Sequence, residues 1–414
     1  MLKTRVFVTG FGVVSPLGLD ATSTWEALKK GQSGVDFIKT FNVDDYETKF
    51  ASEVKGFDPL DYLDKKTARR TDRFAHFATA AAQQAIAQAN LNVANVDPYR
   101  TGVLIGSGIG GISTLSIQHE ILLTRGPRRV SPFLIPMMLG DTASAHVSML
   151  AKALGTNLCI VSSCSSGADA IGNGLELISR GEADIIIAGG SEAPICPIAV
   201  SGFGSLRALS RNNDYPQKAS RPFDSQRDGF VIGEGAAILL LESEESVVRR
   251  GVTPLAELAG YGSTSDGFHI TEPSPSGKSA AKAITKALIR AGIEPNKIDY
   301  INAHGTSTLL NDRQETLAIK IALGTEANNI PISSTKSMTG HLLGAGGALE
   351  AVICIKAMED GIIPPTINLD YPDPLCDLNY TPHTAQTKSL QITMSNSFGF
   401  GGHNSVLIFN KLNT

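Results

Sequence analysis

Three stretches of this chain carry side chains able to do covalent chemistry. The first, IVSSCSSGADAIG at 160–172, sets Cys164 among small hydroxyl residues between two apolar runs. Nothing bulky adjoins the sulfur in sequence, so the residue reads as a candidate nucleophile. Beyond it Ala168, Ile171, Leu175 and Ile178 recur at helical spacing, which predicts a helix beginning at or just after the sulfur. A thiol there meets the positive end of the helix, which favours the thiolate, and whose free N–H groups can hold an oxyanion. The local pattern fits a buried structural thiol equally well, so partners decide. Two histidines offer themselves: His304 in NAHGTSTLLND, directly after an apolar strand, and His341 in SSTKSMTGHLLGAGG, where Lys336 and His341 stand in a loop running into a helix. A thiol and two imidazoles in similar settings form a coherent set for nucleophilic catalysis.

Positioning these groups requires strands that end at them. Short β-rich runs alternate with helix-period segments: RVFVTG at 5–10, a helix from Phe74 to Leu91, GVLIGSG at 102–108, LCIVSS at 158–163 and ADIIIAGG at 183–190. The rhythm returns with a helix from Ser279 to Ala291 stopped by Gly292, then DYINAHG at 299–305, PISSTKS at 331–337 and a helix from about Gly347 to Asp360. Such alternation predicts an α/β fold with buried, largely parallel strands. LQITMSNSFGFGGHNSVLIFN at 390–410 reads as two strands joined by a glycine-rich loop, with Phe400 between Gly399 and Gly401. The softest boundary is the polar stretch Glu242 to Arg250 followed by Gly251, which suggests two comparable halves packed as one unit.

With 414 residues and a net charge of −4, the chain can bury a large core and is poorly suited to wholesale nucleic-acid binding, which needs a basic surface. Its five cysteines, Cys159, Cys164, Cys196, Cys354 and Cys376, are odd in number and include no CxxC pair that would suggest zinc. A reduced, cytoplasmic setting fits, with neither secretion nor membrane spanning indicated. GFG at 10–12 and GSGIGG at 106–111 are weak dinucleotide signals, the first lacking the third glycine of that fingerprint. Lys65, Lys66, Arg69, Arg70 and Arg73, with Arg125, Arg128, Arg129 and Arg207, are basic residues of a kind that most often forms a solvated face.

Taken in order, SSCSSG, NAHGTST, TKSMTGHLLGAGG and SNSFGFGGHN resemble the condensing enzymes of the thiolase superfamily, and within it the beta-ketoacyl-acyl-carrier-protein synthase II group. The resemblance runs from VTGFGVVSPLG at 8–18 through SRPFDSQRDGFVIGEGA at 220–236 to the C-terminal loop. It implies a thiolase fold, a five-layered αβαβα sandwich of two related halves, here 1–255 with the cysteine and 256–414 with both histidines and the GFGG loop, and a homodimer. It implies a Cys-His-His site of Cys164, His304 and His341, supported by Lys336 and Glu350, with Phe400 as a gating residue. Ile109 and Phe203 correspond to positions that shape the acyl pocket, and Thr306, Thr308, Gly399 and Gly401 to substrate-binding positions. No cofactor of its own is implied, since phosphopantetheine comes with the acyl carrier protein. That carrier is strongly acidic, which shifts Lys65, Lys66, Arg69 and Arg207 toward a docking patch. Asp266, His269 and Thr271 in SDGFHIT resemble a second loop flanking the entrance. The implied reaction is decarboxylative condensation of malonyl thioester with a cysteine-bound acyl chain, in fatty acid elongation or in a type II polyketide pathway.

The sequence departs from the commonest pattern of that group at Ser162-Ser163, where Thr-Ala is usual, at Leu309, and at Gly267-Phe268. None of these removes a catalytic group. A thiolase acting on coenzyme A would be expected to carry a second cysteine near the C-terminus, and the GFGGHN loop has none.

Overall fold

The computed structural model describes residues 4–412. Its framework is a ten-stranded sheet. From one edge the strands of residues 1–255 run Asn157–Ile160, Thr101–Gly106, Ile185–Glu192, Gly235–Ser243 and Val6–Val14. The sheet continues with Ala256–Ser265, His403–Asn410, Ile392–Gly399, Tyr300–Asn302 and Ile332–Ser333. Numbered by chain order within each set, both read 3-2-4-5-1 from the outer edge to the junction. The junction itself is narrow, with Phe7 opposite Glu257 and Val8 opposite Ala256.

The sheet is mixed, which corrects the expectation of largely parallel strands. Thr101–Gly106 and Tyr300–Asn302 are parallel to both neighbours, whereas every pairing from Ile185–Glu192 inward, and from Ile392–Gly399 inward, is antiparallel. Direction was invisible in composition because helices cover both faces. Strands buried on both sides are apolar runs whichever way they point.

Helix Arg73–Gln88 covers the outer face of the first set. Helices Ser166–Ser179 and Gly346–Asp360 lie together between the two sets, and Lys278–Ala291 with Leu309–Leu323 covers the far face of the second. Helix, sheet, helix, sheet, helix is the five-layered sandwich of the thiolase fold. Several elements differ from their sequence reading at the ends. The helix expected from Phe74 to Leu91 runs Arg73–Gln88, with Asn90 left-handed at φ 47°. PISSTKS is a strand only at Ile332–Ser333, and Lys336 opens a short helix, Lys336–Thr339, that the loop reading did not foresee. Among the described residues no helix is long and apolar enough to cross a membrane.

The same device seats an outer helix on each set. A Cβ on Gly12 would lie 2.0 Å from the Ala81 carbonyl oxygen, and one on Gly10 2.4 Å from that of Ala85. In the second set a Cβ on Gly262 would lie 2.1 Å from the Ala283 oxygen, and one on Gly260 2.5 Å from that of Ala287. The glycines of GFG thus serve helix-on-strand contact. Gly12→Ala and Gly262→Ala are each expected to cost about 1–3 kcal/mol through overpacking. Urea denaturation followed by circular dichroism checks this, and an unmoved midpoint for both would disprove the close packing.

Candidate active site

Strand Asn157–Ile160 leads into one tight turn, Ser163–Ser165, and then into helix Ser166–Ser179. Cys164 therefore sits just ahead of the helix. Ser163, immediately before it, is left-handed at φ 53°, a conformation costing a non-glycine residue roughly 1–2 kcal/mol. The sulfur is not the low-pKa thiol that its place at a helix end suggested. Burial pushes it up to about 12, against the pull of the Lys336 charge and of the backbone N–H groups of Phe400 and Cys164 itself. A helix end is worth only about 0.3–1 kcal/mol, too little to compensate a thiolate for its lost water. Cys164 thus rests as the neutral thiol, with backbone donors already aimed at it.

His304 follows strand Tyr300–Asn302 and is 2% exposed. Its backbone N–H and that of Gly305 donate to the two carboxylate oxygens of Glu315, at 2.8 and 2.7 Å, and Asn396 Nδ2 donates to the same group at 3.1 Å. His341 is held by its own N–H on the Val231 carbonyl at 2.7 Å and packs edge-on against Phe230. The two imidazoles stand 5.4 Å apart at 86°. Burial, reinforced by the Lys336 charge, holds both well below the usual histidine range, so both are neutral. Neither ring nitrogen of His341 has a hydrogen-bond partner among the described residues, which leaves it free to serve a ligand. Lys336 Nζ pairs with Glu350 Oε1, both buried, and burial pushes the Glu350 carboxyl upward.

The loop Phe400–Gly402 closes over this floor. A Cβ on Gly399 would lie 2.8 Å from the Ser162 carbonyl oxygen and 3.0 Å from Cys164 N, so only glycine lets the two backbones meet. Gly401, at φ 81°, donates its N–H to the Ile270 carbonyl at 2.7 Å, and Asn404 Nδ2 donates to Asp266 at 2.8 Å. The GFGG loop and the 266–274 loop are therefore tied together.

One cavity of about 570 Å³ joins these parts. Cys164, His304, His341, Phe400, Gly399, Ile109, Phe203, Thr306, Thr308, Arg207 and Thr271 all line it. Lys336, Glu350 and Gly401 do not. The first two form the ion pair behind the histidines, and the third is tied to Ile270 across the loop. Lys65, Lys66 and Arg69 lie on an exposed short helix and its C-cap, away from the cavity wall, whereas Arg207 is exposed at the rim.

Three of the buried acids, none singled out by the sequence, hold the turns around this cavity. Glu192 accepts from Ser107 Oγ at 2.8 Å and from the N–H groups of Gly108, Ile109 and Gly344 at 2.6, 3.1 and 3.0 Å, which joins the Ser107–Ile109 turn to the loop after His341. Glu315 anchors His304, and Asp169 lies beside the cysteine turn. Glu192 ends an apolar strand, and an acid closing such a run is the one signal that could have flagged it.

A layered sheet with a half-buried thiol and two neutral imidazoles on one cavity defines the class of thiolase-fold ketosynthases. A family model described as Beta-ketoacyl synthase, N-terminal domain, matches residues 3–246, and one described as Beta-ketoacyl synthase, C-terminal domain, matches residues 255–370. The chain belongs to the beta-ketoacyl synthase family. It is 49% identical over 409 residues to the 3-oxoacyl-[acyl-carrier-protein] synthase 2 of Synechocystis sp., covering 99% of this chain and 98% of that one. Among solved structures, a beta-ketoacyl synthase from Burkholderia phymatum superposes with a TM-score of 0.91 at 36% identity, covering 99% of this chain and 100% of that one. The ketosynthase of a type II PKS complex, with its acyl-carrier protein and bound to the hexaketide, superposes with a TM-score of 0.90 at 35% identity and the same coverage.

Because the thiol is held protonated by burial, its alkylation depends on pH with a definite sign. The thiolate fraction rises as pH approaches the raised pKa, so iodoacetamide labelling of Cys164 should climb about tenfold per pH unit from 7 to 9 without levelling. Quenched mass spectrometry reads the rate. A plateau below pH 8 would show an ionised resting sulfur instead.

Proposed function

We propose that the protein is a 3-oxoacyl-[acyl-carrier-protein] synthase that lengthens acyl chains by decarboxylative condensation. The observation that carries this reading is the single cavity on which Cys164, the N–H groups of Cys164 and Phe400, and the neutral pair His304 and His341 converge. In the first half-reaction the Cys164 sulfur attacks the carrier's phosphopantetheine thioester. The acyl carbon–sulfur bond to pantetheine breaks, and the Cys164 proton ends on the departing pantetheine sulfur. In the second, malonyl thioester loses carbon dioxide and negative charge gathers on its thioester oxygen. His304 and His341, neutral and able to donate from Nε2, stabilise that enolate. Its carbon attacks the acyl-Cys164 carbonyl, whose oxyanion meets the N–H groups of Cys164 and Phe400. The carbon–sulfur bond to Cys164 then breaks, and the thiolate takes up a proton from solvent water, because burial disfavours its charge.

Around this centre Lys336 and Glu350 orient the histidines, Ile109 and Phe203 bound the acyl chain, and Thr306 and Thr308 meet the pantetheine arm along the cavity wall. Phe400, on a loop with glycines at 399, 401 and 402, swings as the sulfur is acylated. The partner is an acyl carrier protein, docked on Lys65, Lys66, Arg69 and Arg207 with Thr271 at the entrance. Residues 1–255 and 256–414 are two related halves, and the enzyme works in the cytoplasm. Support for a homodimer comes from apolar residues left in solvent on and beside the outermost strand, among them Leu154, Leu158 and Val161 at 58%, 49% and 65% exposure. An uncovered strand edge of this kind invites pairing.

Incubation with a ladder of acyl-carrier thioesters, followed by malonyl carrier protein, tests the reading by intact mass. Cys164 should gain an acyl group, and a 3-keto product two carbons longer should follow. His304→Ala or His341→Ala should lower condensation by about 10²–10³ while acylation persists, since each removes one oxyanion donor. No mass gain on Cys164 with any carrier thioester would refute the proposal. A ketosynthase of the type II polyketide kind, favoured by the second solved structure, would instead release products extended several times without reduction. For docking, Lys66→Glu with Arg69→Glu should raise KM for the carrier severalfold, leave kcat near its original value and flatten the salt dependence. An unchanged KM would place the carrier elsewhere.

A further inference from the structure

Asp169 is a buried carboxylate that the chemistry above does not use. It is 6% exposed and stands in the first turn of helix Ser166–Ser179. An acid there usually caps backbone N–H groups, yet all three side-chain partners of Asp169 are hydroxyls. Oδ2 accepts from Ser162 Oγ and lies 3.1 Å from Ser165 Oγ, whose one proton is shared with the Ser162 carbonyl oxygen at 2.8 Å. Oδ1 accepts from the Tyr261 hydroxyl at 2.7 Å. Tyr261 comes from strand Ala256–Ser265, beyond the junction of the sheet, and its ring fills a notch at Gly172, where a Cβ would lie 2.2 Å from the ring. Ser162 and Ser165 bracket Cys164 and Ser163, the latter with its backbone strained at φ 53°. A strained turn persists only where its surroundings over-determine it.

We infer that Asp169 and Tyr261 are positioning residues for the nucleophile: Tyr261 orients the Asp169 carboxylate, and the carboxylate holds the hydroxyls on both sides of Cys164. The chain of bonds aims the sulfur at the Phe400 N–H from behind. It also accounts for the hydroxyl-rich setting of the cysteine. The catalytic part of this inference rests on the acyl transfer proposed above, whereas the placement of the sulfur does not.

The test uses the full chain with Tyr261→Phe, which removes one hydroxyl, and Gly172→Ala, which displaces the ring without touching a polar atom. Both should slow iodoacetamide labelling and carrier-dependent acylation of Cys164 about tenfold, the scale of a small misplacement, while malonyl decarboxylation at the histidines stays within about twofold. Asp169→Asn keeps an acceptor for Tyr261 and should recover most of the rate, and Asp169→Ala should fall furthest. Unchanged labelling in Tyr261→Phe overturns the inference, as does a parallel fall of labelling, decarboxylation and melting temperature. If the wild type takes no acyl group but the variants still label slowly, the acyl-transfer reading fails and the positioning stands.

Discussion

The Gly399–Phe400 backbone rests directly on the turn that carries Cys164, and a single methyl at residue 399 would strike both the Ser162 carbonyl and Cys164 N. Through that contact a loop near the end of the chain supplies a donor to a sulfur placed by its middle. Everything else in the site is arranged to keep the two surfaces together. Asp169 and Tyr261 brace the turn from behind, and the Gly401–Ile270 and Asn404–Asp266 bonds fasten the loop from outside.

The second governing feature is dryness. Burial raises the thiol, lowers both imidazoles and raises the Glu350 carboxyl, so the sulfur and the two rings rest uncharged. Hydrogen-bond donors in such surroundings act on a developing oxyanion with little competition from water. The same dryness makes an unpaired group expensive, which is why Glu192 and Glu315 each take several donors. These acids stiffen the turns that place Ile109 and His304 without facing the cavity themselves.

Legibility in the sequence followed the range of the interaction. Helix Lys278–Ala291 was read almost to the residue because its apolar stripe and its stop at Gly292 are local. Strand direction was not, since pairing is decided by which distant run arrives alongside. Lys336 was placed in a loop although it opens a short helix, Lys336–Thr339, because four residues are too few to show a helical period. The sign of the Cys164 shift was read from the helix end alone, and burial reversed it.

Residue types and local order were enough to single out Cys164, His304, His341 and the GFGG loop, and to announce alternating strands and helices, because periodicity and chemical identity are written in neighbouring residues. Only the folded chain decided that Arg207 and Thr271 reach the cavity rim while Lys65, Lys66 and Arg69 do not, and that Glu192, Glu315 and Asp169 hold the turns of the site. Desolvation and hydrogen bonding between residues tens to hundreds of positions apart depend on three-dimensional proximity, which no short stretch of sequence contains.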